Sequence, residues 1–284
     1  MKQLVLACNL LVIILIGGCS GEPTPVVIVE PTVVSSPSAT AADTATASST
    51  ASAKPISTEA PTEAPTVTAS VEQDRQEERE VMVESGVIGW GVQDEDVHEA
   101  MLAVPRHEFV PEEYASMAYE NHPLPIGFGQ TISQPFIVGL MTEAINPSAD
   151  YSVLEIGTGS GYQAAVLAEL VGQVYSVEII GPLHERAEDT LKRLGYENVS
   201  FLHADGYFGW EEHAPFDAIV VTAAPDHVPQ PLVQQLKIGG KMIIPVGPVG
   251  GFQNLWLITR VSQDEVQTRD LGGVTFVPFT REEQ

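Results

Sequence analysis

Cysteine, basic residues and long apolar runs are all scarce in this sequence. Its two cysteines, Cys8 and Cys19, precede every segment with globular patterning, so neither a disulfide nor thiol chemistry is available to the core. Cysteine usage therefore leaves the redox compartment open. Lys and Arg number 13 against 38 Asp and Glu, a formal net charge of −25, and no basic stripe offsets it. Phosphate backbones are bound by clustered Lys and Arg that release counterions, so a nucleic-acid partner is excluded. The mostly apolar run from Leu4 to Ile16 is shorter than the roughly 18 to 20 residues of a membrane span. No Walker loop, internal repeat or Ser/His/Asp motif is recognisable. No metal is expected: His98-Glu99 opens like a zinc-protease helix, but the position four after His98 is Leu102.

What is present divides the chain into three parts. Lys2 followed by the Leu4 to Ile16 run reads as the core of a signal peptide. It ends in Ile16-Gly17-Gly18-Cys19, which resembles the bacterial lipobox and makes Cys19 the expected lipidation site. Residues 20–75 are dominated by Pro, Thr, Ser, Ala and Val without an aromatic, too little apolar area to offset the entropy of ordering, and read as a disordered tether. Such a coil would hold a domain roughly 40 Å from its anchor. The expected organisation is a signal peptide over 1–19, the tether over 20–75 and one folded domain over 76–284. The expected location is extracytoplasmic, with the membrane reached through a lipid anchor only.

In the folded part, the charged run Glu72 to Glu80 and the apolar residues after it predict a first helix ending near Gly86 or Gly89. A second is expected from Asp94 to Pro105. Beyond Tyr151, strands are expected at 152–156, 174–178, 199–203, 218–221, 242–245, 255–258 and 274–277. Helices at 163–171, 183–194 and 231–236 separate some of them. Parallel strands need crossover connections, so this alternation predicts an α/β fold, a doubly wound, mostly parallel seven-stranded sheet preceded by helices.

The first of these strands runs through Glu155 and Ile156 into Gly157-Thr158-Gly159-Ser160-Gly161 and then a helix. Glycines there let the backbone turn sharply and approach a ligand at the carboxyl edge of the sheet. A tight turn without a ligand and a nicotinamide dinucleotide site are the competing readings. The spacing G-x-G-x-G and the acidic Glu155 favour S-adenosylmethionine, whose amino group and sulfonium suit a nearby carboxylate. Glu178, closing the second strand, is placed to accept ribose hydroxyls, and Asp205-Gly206, after the third, to meet an adenine amino group.

The segment Pro123-Leu124-Pro125-Ile126-Gly127-Phe128-Gly129-Gln130-Thr131-Ile132-Ser133-Gln134-Pro135 resembles the signature of the protein-L-isoaspartate O-methyltransferases. Further matches are Phe109-Val110-Pro111, Val153 to Ala168, Pro215-Phe216-Asp217, Val221 to Ala224, Gly239-Gly240, Pro245 to Gly247 and Phe276 to Pro278, so the resemblance covers about Glu80 to Thr280. It implies a class I, Rossmann-like methyltransferase with Ser133 as the active-site residue. It also implies a donor site drawn from Gln130, Thr131, Ile132, Glu155, Gly157, Thr158, Gly159, Gly161, Glu178, Asp205, Gly206 and Thr280. The implied reaction methylates the free α-carboxylate of L-isoaspartyl residues in damaged proteins or peptides, leaving S-adenosylhomocysteine and starting repair through a succinimide. The implied state is monomeric. The sequence alone leaves Ser133 with a second reading, an N-cap for a helix opening at Gln134-Pro135. Ala204 stands where the family often has Gly and should be tolerated unless its φ is positive. Alternatives to repair are a non-catalytic donor-binding relic and a methyltransferase for another carboxylate-bearing small molecule; the alternative location is the cytoplasm, usual for the family.

Overall fold

The computed structural model describes residues 75–248 and 250–281. The expected signal peptide, Cys19 and nearly all of the tether lie outside the described residues. The chain begins with helix α1 (Gln76–Gly86) and helix α2 (Glu95–Ala103). α2 begins where the sequence predicts, and Asp94 caps it, its carboxylate accepting from the backbone N–H groups of Asp96 and Val97. Two 3-10 turns (Arg106–Phe109 and Glu112–Met117) lead to a small antiparallel hairpin, β1 (Leu124–Gly127) and β2 (Gln130–Ile132). Helix α3 (Pro135–Ile145) follows directly.

The sheet has seven strands in the order β5-β4-β3-β6-β7-β8-β9. They are β3 (Ser152–Ile156), β4 (Gln173–Glu178), β5 (Val199–His203), β6 (Phe216–Val221), β7 (Leu236–Val246), β8 (Gln253–Arg260) and β9 (Val266–Val274). β5 to β7 run parallel across the central strand β3, while β8 and β9 are antiparallel additions. Crossovers use α4 (Tyr162–Ala168), α5 (Gly181–Leu194) and α6 (Gln230–Gln235).

Alternate residues of β3 enter different cores, because successive strand side chains face opposite ways. Val153 joins the core under α1 to α5, whereas Leu154 and Ile156 join a second one with Phe216, Leu232 and Leu236. The central strands of the sheet are thus buried on both faces, as their unbroken apolar runs predict.

Three elements depart from the sequence expectation. α3 falls in a continuously apolar stretch whose burial on several sides removes the polar face that marks a helix. The hairpin β1–β2 is too short to show a period. The last strand lies over Val266–Val274 instead of 274–277: it is an exposed edge strand with little apolar signal, and the apolar residues after it form a non-strand segment bridging to Ala224.

Gly161, one of the residues expected at the donor site, stands at the start of α4. It is the left-handed N-cap of α4, with φ at 89°, and a Cβ added there would lie 2.5 Å from Leu191 Cδ1 of α5. The position serves the packing of α4 against α5. Gly161→Ala is therefore expected to destabilise the fold by roughly 1–3 kcal/mol, read as a fall of about 2–4 °C in Tm for each kcal/mol. An unchanged Tm would contradict this packing role.

Candidate active site

In open α/β sheets, ligands bind where neighbouring crossovers leave the sheet on opposite sides. Here that point is the carboxyl end of β3, flanked by β4 and β6. The loop leaving β3 is held from both neighbours. The Gly157 N–H donates to the Val177 carbonyl of β4 at 2.8 Å, and the Thr222 hydroxyl, just beyond β6, donates to the Gly157 carbonyl at 2.6 Å. A Cβ on Gly157, whose φ is 93°, would come within 2.5 Å of the Thr222 Oγ1. No residue but glycine fits this clasp.

Glu178 closes the other side of the loop. Its Oε2 accepts the Gly159 N–H at 2.8 Å and its Oε1 the Ile180 N–H at 2.9 Å. Each oxygen keeps a lone pair for a ligand hydroxyl. Opposite, the hairpin brings Gln130 to Ser133 over the loop, anchored by Arg186 of α5, which donates to the Ile126 carbonyl at 2.6 Å.

Between these walls lies an open cleft at the carboxyl edge of the sheet, the concave setting in which small molecules bind. It brings together Gln130, Thr131, Ile132, Ser133, Gly157, Thr158, Gly159, Glu178, Gly206 and Thr280 from the expected set. Glu155, Gly161 and Asp205 do not line it. Tyr162, Ile179, Ile180, Thr222, Ala223 and the segment Val277–Phe279 line it as well and were not foreseen. Their signal was positional, since most follow directly on a strand or loop at the carboxyl edge. Thr222 even sits inside one of the quoted family matches.

Ser133 is not a helix cap. Gln134 holds that position, and the Phe136 N–H is satisfied by the Asn121 side chain at 3.0 Å. Among the described residues the Ser133 hydroxyl makes no hydrogen bond, so it remains available to the cleft. Asp205 lies next to the site as a tied carboxylate. Its Oδ1 accepts the Tyr207 N–H at 3.0 Å, and its Oδ2 pairs with Arg281 Nε at 2.7 Å. Arg281 lies 3.7 Å over the Tyr207 ring, fastening the C-terminal segment beside the cleft. Ala204 has no positive φ, so the missing Gly costs nothing there.

Glu155 corrects the expectation of a carboxylate facing a ligand cation. Strand alternation turns it under α4, 0 % exposed, where Oε2 accepts from the Ser176 hydroxyl and Oε1 has no partner. The Ser176 hydroxyl also meets Thr158 Oγ1 at 2.6 Å, so the buried acid supports the loop from below. Burial first, and the nearby Glu178 charge second, push its pKa up to about 8. At neutral pH this side chain is mostly neutral.

The fold and this cleft define a class I methyltransferase-type domain: a doubly wound sheet with a glycine clasp after its central strand and an acid closing the next. The family model of the protein-L-isoaspartate(D-aspartate) O-methyltransferases matches residues 77–284, and the chain belongs to that family. It is 53% identical over 216 residues to protein-L-isoaspartate O-methyltransferase 2 of Syntrophobacter fumaroxidans, covering 76% of this chain and 87% of the relative. To the protein-L-isoaspartate O-methyltransferase of Opitutus terrae it is 54% identical over 217 residues, covering 76% and 93%. A solved Plasmodium falciparum structure, described as a putative protein-L-isoaspartate O-methyltransferase in complex with S-adenosyl-L-homocysteine, superposes with a TM-score of 0.62 at 26% identity, covering 71% of this chain and 98% of that one.

The raised Glu155 pKa fixes a pH dependence. Between the ordinary carboxyl range and about pH 8 the folded protein holds a proton that the unfolded chain has lost. Stability therefore falls as pH rises through that window and levels off above it. Glu155→Gln removes the titration, so its Tm should gain on the wild type as pH rises, by roughly 2–4 °C for each kcal/mol. Parallel Tm curves for the two proteins would contradict a buried, neutral Glu155.

Proposed function

We propose that this chain transfers the methyl group of S-adenosylmethionine to the free α-carboxylate of L-isoaspartyl residues in damaged proteins and peptides, initiating repair through a succinimide and releasing S-adenosylhomocysteine. The observation that carries this reading is one cleft walled on one side by Gly157–Gly159 and Glu178 and on the other by Gln130–Ser133, in a member of this family. The residues fit such a donor. Gly157 lets the loop pass close against Thr222 while its backbone lines the cleft, Glu178 offers acceptor capacity for ribose hydroxyls, and Gly206, packed against Ile156, lines the wall next to Asp205. When bound, S-adenosylmethionine supplies an electrophilic methyl group on a sulfonium.

The acceptor is an ordinary carboxyl with a pKa of about 4, already ionised at neutral pH. The chain therefore needs no general base, and its work is alignment and exclusion of water, which together supply up to roughly 7–11 kcal/mol. Gln130 to Ser133 and the Val277–Thr280 segment are the walls that position the acceptor, and the unengaged Ser133 hydroxyl orients it as a hydrogen-bond donor. The backbone amide nitrogen of the following residue then attacks the ester carbonyl, the C–OCH3 bond breaks and methanol leaves, closing the succinimide without help from the protein.

Two further readings rest on the sequence alone. Residues 1–19 act as an export signal, and Cys19 carries the lipid that holds the domain outside the cytoplasm on the 20–75 tether. The domain works as a monomer.

Full-length protein should methylate an isoaspartyl peptide and leave its aspartyl counterpart unmodified; absence of transfer at saturating donor favours a non-catalytic donor-binding relic. Ser133→Ala should lower kcat by roughly tenfold to a hundredfold, with S-adenosylhomocysteine affinity unchanged. A large loss of that affinity would contradict the orienting role. Cells expressing the protein should incorporate labelled fatty acid into it, and Cys19→Ser should abolish the label; a label that survives the substitution contradicts the anchor.

A further inference from the structure

The cleft poses an electrostatic problem for an anionic acceptor. Its lining carries one ionisable carboxylate, Glu178, and no Lys, Arg or His, and the chain as a whole is strongly acidic. Apart from the sulfonium of a bound donor, which the uncharged product S-adenosylhomocysteine lacks, an anion entering this site meets a field of the wrong sign unless a cation stands close behind the wall.

One does. Arg106, from the 3-10 turn after Pro105, is 0 % exposed and sits directly behind two lining residues. Its Nη2 donates to the Ser133 carbonyl at 2.7 Å, its Nε donates to the Ala118 carbonyl at 2.8 Å, and its Cζ lies 4.8 Å from the centre of the Tyr162 ring. Among the described residues no carboxylate pairs with it. Its Nη1 and the Tyr162 hydroxyl are both buried without a hydrogen-bond partner. Burial lowers its pKa only to about 10, so the guanidinium stays charged at neutral pH.

A buried cation without an anion is costly, and the aromatic face and two carbonyls offset only part of that cost. Tying Ser133 to Ala118 requires donors but no charge, and a neutral amide would do it more cheaply. The charge itself is what calls for an explanation. Arg186, the other cation near the hairpin, is partly exposed and engaged with the Ile126 carbonyl, so solvent screens it.

We propose that Arg106 is the resident counter-charge of the acceptor carboxylate, a positioning residue that acts through the Ser133 backbone and the Tyr162 ring and makes the acceptor end of the cleft anion-selective. This rests on the reading of the cleft as an isoaspartyl site. Arg106 touches no acceptor itself; its field acts across one layer of protein, where low polarisability preserves it.

The test is binding, measured with S-adenosylhomocysteine present. Two probes are compared on the full chain: an isoaspartyl peptide with its free α-carboxylate, and the same peptide with a carboxamide there. Wild type should prefer the carboxylate by roughly tenfold or more, and the preference should persist at high salt because its source is buried. Arg106→Met should reduce that preference to near unity, while Arg106→Lys, which keeps the charge, should retain most of it. S-adenosylhomocysteine affinity should stay constant in both. Should Arg106→Met not fold, the comparison of wild type with Arg106→Lys and the salt series still decide: loss of the preference in the Lys variant, or its collapse with salt, overturns the proposal. Equal weakening of both peptides with the ratio intact shows a merely structural role and overturns it too. A wild type that binds neither peptide overturns the isoaspartyl reading together with this one, which separates the two failures.

Discussion

The way the chain leaves β3 is the constraint on which the rest depends. A strand that must turn into a helix within five residues, while its backbone stays open to a ligand, cannot be stiffened by side chains of its own. The stiffness comes from outside: the Val177 carbonyl and Glu178 on one side, Thr222 on the other, and the Thr158–Ser176–Glu155 chain beneath. Two neighbouring parallel strands thus hold the loop at their own carboxyl ends, and the sheet order makes them neighbours. The N-terminal helices and the β1–β2 hairpin add the opposite wall, so a cleft forms where a bare doubly wound sheet would offer only a shallow edge.

Two of the buried ionisable groups around the cleft, both 0 % exposed, divide the electrostatic work. Glu155 lies on the donor side and is held mostly neutral, so it braces the loop without adding a second negative charge beside Glu178. Arg106 lies on the acceptor side and stays charged. A methyl transfer from a sulfonium to a carboxylate cancels opposite charges as it proceeds. A site for it benefits from fixed, dry positions for both charges more than from strong stabilisation of either.

Much of this was legible in the residues. The unbroken Val, Ile and Leu runs gave the parallel strands, because strands buried on both faces need no polar alternation. The glycine spacing and the acid at 178 located the loop, and the 123–135 signature located the wall. What could not be read depends on which way a side chain faces. Glu155 sits two residues before the loop in a position that suggests a ligand, and only the strand pleat turns it into the core. Gly161 belongs to the glycine pattern yet answers to Leu191, which is 30 residues away in sequence by their numbers. Arg106 carried no signal, since an isolated arginine in sequence is ordinarily a solvated surface residue. Helix α3 was hidden by its own apolarity, and β9 by its lack of it.

The most direct test of the account is a crystal structure of the full chain with S-adenosylhomocysteine and an isoaspartyl peptide. The sulfur should lie in the cleft facing Ser133, with the peptide α-carboxylate between the two and on the Arg106 side. A sulfur directed away from Ser133, or a carboxylate seated elsewhere, would contradict it.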